Sequence, residues 1–487
     1  MTDSIKPDNV DDSVRSIFWA YASFFCTKVL NLISIVVLAW YLQPAEFGLL
    51  AICLAVMGYF EIISQFGMGA ALISAREKIE ETASAVLLCG LVFSCTLVAL
   101  ILVSAPAIAD WYGDPKLADL LPVIAITLLV RALTTVNTSF LFRDLRFKAK
   151  LLPDVARGLT KGLLAIALAV LGFGVWALVF GHLAGAVAGS IVTWIVRPWR
   201  PKRWPDLATF KYIARFGANL IGAQTINATP RLLDTLLVGK VLGMASLGIY
   251  SLAFRIPELG IKTFTNVVGS VLHPVMSKIQ SDPVELKAYY YGALKYCALL
   301  MFGAGAAIAI LAEPLIHVLY APKWYAMIVP MQLLAVGFAI GTINMVPGNL
   351  FKALSRTDLM LKVSLINLPF FLVLIWFAVP YGITAVAFIQ LVLALIRFVP
   401  NYLLLQRALD ISVRDTFAAL KPGIGCALAG SAAGIITLRL DFTSNELTRL
   451  LVVALVFVGA YLLCVRLVMP EIFREIARRT LGKTGPA

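Results

Sequence analysis

The side chains best suited to chemistry are cations set where a chain should avoid them. Lys28, Arg131, Arg231, Arg255 and Lys262 each fall deep in a long apolar run, and three carboxylates, Glu61, Asp234 and Glu258, oppose them. A charge facing hydrocarbon at mid-depth costs about 3 kcal/mol on insertion scales, so these groups are expected to face protein interior or water. Lys161 lies in the same kind of run, whereas Arg157, Lys295, Arg449 and Arg466 sit near run ends and can snorkel to the interface. Helical spacing puts Arg255, Glu258 and Lys262 on one face, Arg231 and Asp234 on another, Lys28 beside Asn31, and Glu61 beside Gln65. Ion pairs of this kind can lock helices together. Three carboxylates cannot neutralise five cations, so some positive charge is left for a guest. Arginine matches phosphate oxygens through its planar fork and lysine adds a compact charge. The nearby amides Asn31, Gln65, Asn219, Gln224, Asn227 and Asn266 suit sugar hydroxyls or plain interhelical contacts. The residues leave open whether the anion is a pyrophosphate, an acidic sugar or both.

Other chemistry finds no support. Three histidines, His182, His273 and His317, are scattered and form no HExxH. The tail Leu481-Gly-Lys-Thr484 imitates the end of a phosphate loop, but Ala477 stands where its first glycine would be. The seven cysteines, Cys26, Cys53, Cys89, Cys95, Cys297, Cys426 and Cys464, lie in apolar stretches without a CxxC, as small buried hydrophobes do. No cofactor, metal or nucleic-acid site is expected.

The elements that must position the cations follow from composition. Of 487 residues, 60% are hydrophobic and 14% charged, against about 45–50% and about 25% in soluble domains. This is an all-α, polytopic membrane chain. Spans of about 20 apolar residues are predicted at 17–42, 47–71, 83–109, 120–141, 154–172, 174–196, 213–238, 246–271, 289–311, 327–348, 360–379, 382–404, 422–440 and 447–469, about fourteen helices. Lysine and arginine exceed aspartate and glutamate by 14. The excess collects in alternate gaps, while the segments on the other side hold only Lys116, Lys240, Lys323 and Arg439, apart from Arg449 just inside the last span. By the positive-inside rule both termini face the cytoplasm, and the acidic N-terminal residues Asp3, Asp8, Asp11 and Asp12 precede a retained first span. The basic, Trp-bearing segment from Arg197 to Arg215 is expected to be an inner loop with interfacial tryptophan anchors.

The chain repeats itself. Leu42-Gln-Pro-Ala-Glu-Phe-Gly48 matches Leu242-Gly-Met-Ala-Ser-Leu-Gly248, Leu141-Phe-Arg-Asp-Leu145 matches Leu350-Phe-Lys-Ala-Leu354, and Gly174-Val-Trp-Ala-Leu-Val-Phe180 matches Gly382-Ile-Thr-Ala-Val-Ala-Phe388. The expected organisation is a cytoplasmic segment 1–16, a six-helix bundle 17–205, a second 206–405, two extra helices 406–470 and a cytoplasmic tail 471–487. Two such bundles around a central cavity form a transporter architecture. Pro230 and Pro257 should interrupt the seventh and eighth spans. Gly181, Gly185 and Gly189 form a close-packing face on the sixth.

With these spans, the turn Tyr41-Leu-Gln-Pro-Ala-Glu-Phe-Gly48 and the basic stretch Phe140-Leu-Phe-Arg-Asp-Leu-Arg-Phe-Lys148, the chain resembles the Wzx-type polysaccharide flippases. These form the polysaccharide transport family, here its colanic-acid and exopolysaccharide-like branch, of the multidrug/oligosaccharidyl-lipid/polysaccharide exporter superfamily. The resemblance implies a bacterial inner-membrane flippase. Its cargo would be undecaprenyl-pyrophosphate-linked oligosaccharide, moved from the cytoplasmic to the periplasmic leaflet by alternating access for exopolysaccharide, O-antigen or capsule synthesis. It also implies membrane lipids, a polymerase and export machinery as partners. Because spans 1, 2, 7 and 8 line the family's path, Lys28, Arg231, Arg255 and Lys262 become substrate contacts. Arg131 and Lys161 are secondary contacts, and Glu61, Asp234 and Glu258 are ion-coupling candidates. A lipid II flippase and a cation/drug antiporter of the same superfamily are the alternatives. An integral-membrane polymerase or ligase would need a larger outer loop than the segment 312–327 offers.

Overall fold

The structure is a computed structural model that describes residues 28–65, 68–440 and 443–471. Segment 1–16, the start of the first span and the tail bearing Leu481–Thr484 lie outside the described residues. All regular elements among the described residues are helical. Lipid imposes this, because a spanning segment must satisfy its own backbone groups. The helices are α1 (Lys28–Tyr41), α2 (Pro44–Gln65), α3 (Met68–Ser74), α4 (Ile79–Tyr112), α5 (Lys116–Ala132), α6 (Thr135–Arg143), α7 (Phe147–Val170), α8 (Val175–Val196) and α9 (Leu207–Pro257). After a π-helical turn (Glu258–Lys262) come α10 (Thr263–Lys278), α11 (Pro283–Leu319), α12 (Ile328–Ile343), α13 (Met345–Ala353), α14 (Thr357–Ala378), α15 (Ile383–Ile396), α16 (Phe398–Leu409), α17 (Val413–Arg439) and α18 (Glu446–Val468).

Ten described helices are long and apolar enough to cross a membrane, and an eleventh crossing comes from α5 and α6 taken as one span bent by 45°. Three expected spans fall outside that set. The first is described only from Lys28. The fifth, on α7, carries Lys148, Lys150, Asp154, Arg157 and Lys161. The seventh and eighth share one run, Thr229–Ile261, that counts once. The break in that run is at Gly243 (φ 82°, ψ 171°), and the helix continues through Pro230. Pro257 does mark a change, since the π-helical turn begins at the next residue. Such turns recur at functional sites.

The chain forms two compact units that divide between Gly248 and Ile249. In the first, α8 lies flat on α7 because three glycines remove the side chains between them. A Cβ at Gly181 would lie 2.7 Å from Ala165 Cβ, one at Gly185 2.7 Å from Lys161 Cβ, and one at Gly189 2.9 Å from Arg157 Nε. The predicted small-residue face is therefore a helix seam. Elsewhere in the unit the start of α2 crosses α9 reciprocally. A Cβ at Gly48 would overlap the carbonyl of Met244, and one at Gly248 would overlap the carbonyl of Pro44. The long loop packs more than expected: Trp199 is buried and donates from Nε1 to Glu80 (3.0 Å), while Trp204 is exposed as an anchor should be.

The second unit gathers α10, α11, α13 and α17 around Leu286, Tyr290, Leu294, Phe351 and Leu420. The added pair α17–α18 docks on α11. A Cβ at Gly423 would meet the Ala298 carbonyl carbon at 2.7 Å, and one at Gly303 the Tyr461 ring at 2.6 Å. Asp282 caps α11 by accepting from Val284 and Glu285 N–H groups (2.9 and 3.1 Å), ahead of Pro283 at the first helical position.

The repeat is visible in the backbone, with one correction to its register. Gly174 (φ 57°) and Gly382 (φ 95°) each precede a helix, α8 and α15, with a positive φ that glycine adopts at little cost. Both α6 and α13 are nine residues long. Each ends in the same turn: Leu145 has φ 52° and Arg146 N–H reaches Leu141 O (2.9 Å), while Ser355 has φ 57° and Arg356 N–H reaches Phe351 O (2.8 Å). Arg146 therefore corresponds to Arg356 and Arg143 to Ala353, one residue from the match that side-chain similarity suggested.

Candidate substrate-contact site

A ladder of charge in the first unit is built on α7. Lys150, Asp154, Arg157 and Lys161 follow one another at spacings of four, three and four, so they form a stripe. Lys150 pairs with Asp154. The glycine seam of α8 fixes the helix at Arg157 and Lys161. Arg157 Nε is buried with no hydrogen-bond partner among the described residues, and its guanidinium lies within electrostatic reach of Arg131, Glu61 and Asp154. Arg131 pairs with Glu61, their side chains 34% and 26% exposed. Three cations, Arg131, Arg157 and Lys150, thus face two carboxylates, Glu61 and Asp154. Positive charge remains in excess before Lys161 is counted.

The Glu61–Arg131 pair is closed in. With Met68, Ser94, Leu128 and Thr135 it borders a cavity of about 10 Å³, room for a single water at most. Arg131 sits at the end of α5, where the span bends. The hydroxyls of Thr134 and Thr135 donate to its carbonyl (3.1 and 3.0 Å), satisfying backbone that the bend releases. Arg143, at the end of α6 in the basic stretch, has a structural role. Arg143 donates to the carbonyls of Leu72 (2.8 Å) and Ala75 (2.7 Å), capping the short α3, and Arg197 reaches Asp144 at 3.1 Å. Outside the spans, Lys78 holds the Asp206 carboxylate at 2.7 Å and, with Thr209, keeps it well below the usual carboxylate range.

The remaining candidates are spread over both units. Lys28 is half-buried on α1, and Lys161 half-buried on the α7–α8 seam. On α9, Arg231 is exposed while Asp234 is wholly buried, so residues three apart differ in environment. Arg255, exposed, and Glu258, half-buried, belong to the second unit, where the π-helical turn widens the spacing between Glu258 and Lys262. The side chains of Lys262, Gln65, Asn219, Gln224, Asn227 and Asn266 lie outside the described residues. Among the candidates, Arg131 and Glu61 come together as an ion pair. Sequence reasoning missed two members of their cluster. Arg157 was assigned to the interface and Asp154 was left out of the opposing carboxylates, although the spacing of the α7 stripe was available to signal both.

The chain has close parallels. It is 23% identical over 473 residues to the teichuronic acid biosynthesis protein TuaB of Bacillus subtilis, covering 96% of each chain. It is 26% identical to the lipopolysaccharide biosynthesis protein WzxC of Escherichia coli, over 68% of each. Its fold matches the lipid II flippase MurJ in an inward closed conformation with a TM-score of 0.75 at 17% identity, over 94% of this chain and 100% of that one. The family described as polysaccharide biosynthesis protein matches residues 37–329. A multi-pass helical membrane chain of this fold, with surplus cations on its spans, belongs to that polysaccharide biosynthesis protein family.

Proposed function

We propose that the protein is a flippase of the bacterial inner membrane. It moves undecaprenyl-pyrophosphate-linked oligosaccharide from the cytoplasmic to the periplasmic leaflet by alternating access, with both termini in the cytoplasm. The observation that carries this reading is the cationic excess around Arg131 and Arg157 on spanning helices of a polysaccharide biosynthesis protein. Pyrophosphate is the part of such a cargo that needs positive charge, and the arginine fork suits its oxygens. Lys28, Arg231, Arg255 and Lys262 serve as further contacts, with Arg131 and Lys161 nearer the glycine seam. Glu61, Asp234 and Glu258 exchange partners as the cycle turns, which would let a proton or sodium ion drive it. Polymerase and export machinery take the product onward.

The test is transport of fluorescent lipid-linked oligosaccharide in vesicles. Arg157→Ala, and Arg255→Ala combined with Lys262→Ala, are each expected to lower turnover at least tenfold in folded, inserted protein. Normal turnover in both would overturn the site assignment. Rescue of cells depleted of their lipid II flippase would instead give the cargo as lipid II.

A further inference from the structure

The two repeats differ sharply at one equivalent place. In the first, α3 crosses α6, and a Cβ at Gly69 would meet Ser139 Oγ at 3.0 Å and Thr135 at 3.9 Å. In the second, α10 crosses α13, and a Cβ at Gly269 would meet Asn349 Nδ2 at 3.5 Å and Met345 Sδ at 3.7 Å. The crossings correspond residue by residue, with Gly69 to Gly269, Thr135 to Met345 and Ser139 to Asn349. The same register places Ile73 opposite His273 and Phe142 opposite Lys352.

In the first unit both positions are apolar, and the cation beside them, Lys150, is spent on Asp154 and on the face of the Phe142 ring at 5.3 Å. In the second unit a pocket of about 570 Å³ opens, lined by His273, Asn344, Asn349 and Lys352 together with Gly269 and Met360. That volume suits a small ligand. Among the described residues no carboxylate lines it and none pairs with Lys352. The carbonyls of α10 make no demand on that lysine. His273 O accepts from the Ser277 hydroxyl (2.8 Å) and Val275 O from the Ile279 N–H (3.3 Å). Here α10 continues as a helix to Lys278, whereas α3 stops at Ser74 and needs Arg143. Asn349 is 6% exposed and uses one amide hydrogen on Met345 O (3.1 Å), leaving a second to donate. Asn344 is held by Ala394 O (3.2 Å) and Asn401 (3.1 Å), a fixed wall.

An ammonium, an imidazole and a fixed amide, without an opposing carboxylate, form a receptor for an oxyanion. Lys278 ends α10 and Arg356 precedes α14, two of the helices that line the pocket, and basic residues at helix ends attract anionic lipid headgroups. We propose that this pocket binds the phosphate of a membrane lipid, through Lys352 and His273 with Asn349 as a further donor. The phosphate belongs either to a polyprenyl pyrophosphate carrier or to an anionic phospholipid. Binding here does not require transport, so it stands or falls apart from the flippase reading.

The experiment uses the full chain in nanodiscs and measures binding of undecaprenyl pyrophosphate and of phosphatidylglycerol by native mass spectrometry, with phosphatidylcholine as the neutral control. His273→Ala combined with Lys352→Ala is expected to weaken binding of one anionic lipid at least tenfold and leave phosphatidylcholine unchanged. Loss of undecaprenyl pyrophosphate makes the carrier the source, and loss of phosphatidylglycerol makes it the bulk lipid. Lys352→Arg, which keeps the charge, should retain binding. Should the double variant fail to fold, Lys352→Gln at this exposed position serves in its place. Unchanged binding of both anionic lipids in the folded variant would overturn the proposal.

Discussion

Glu61 and Arg131 stand 70 positions apart and form an ion pair inside the first unit. Each is partly desolvated, so removing one leaves a poorly hydrated charge behind. Arg131→Ala and Glu61→Gln should each lower stability by about 1–2 kcal/mol, a figure reduced from the fully buried case because both groups retain some exposure. The double variant should cost clearly less than the sum, a coupling that thermal unfolding in detergent would read. Additive losses would remove the pairing. That these residues carry unusual charge was legible from their place in apolar runs, because the cost of burying charge is local. Which carboxylate meets which guanidinium was not, since it depends on how α2 and α5 pack. The α7 stripe was readable in principle: the recurrence of Lys150, Asp154, Arg157 and Lys161 gives one face without any tertiary knowledge.

Among elements, the repeat was legible because some glycine positions are fixed by backbone geometry and close packing that duplication preserves. The turn matches at Gly48 and Gly248, and at Gly174 and Gly382, are matches of that kind. The stretch after α6 misled by one residue because its likeness lay in side chains, Arg143 and Lys352, which the backbone does not place equivalently. The π-helical turn after Pro257 had no sequence signal beyond the proline itself. Close approach of helices makes a prediction that separates glycines from one another. Gly48→Ala puts a methyl group into the Met244 carbonyl and should cost about 1–3 kcal/mol of overpacking. Gly58→Ala, in the same helix with open space around its Cβ, should be neutral or stabilise by up to about 1 kcal/mol through helix propensity. Comparing folded yield and melting temperature of the two variants checks the crossing. Equal behaviour would mean that α2 and α9 do not meet there.

For the whole molecule, composition alone gave a polytopic helical membrane protein, and the spans of α4, α8, α11, α15 and α18 fall where apolar runs predicted them. Charge asymmetry adds an orientation that can be measured. In intact spheroplasts, Lys116→Cys at the first residue of α5 should react with a membrane-impermeant maleimide, and Lys202→Cys in the loop before α9 should react only after the membrane is opened. The reverse pattern would invert the topology. What composition could not supply is the asymmetry between halves. Sequence similarity finds what the repeats share, whereas the polar pocket around His273 and Lys352 is what one of them has gained.

The reciprocal crossing of Gly48 on Met244 and of Gly248 on Pro44 has a consequence for both repeats. A contact in which each partner presents the same two positions to the other is the signature of an isologous dimer. Such a contact ties both glycines to one constraint: neither can take a side chain, while residues away from the crossing are free to diverge between the repeats.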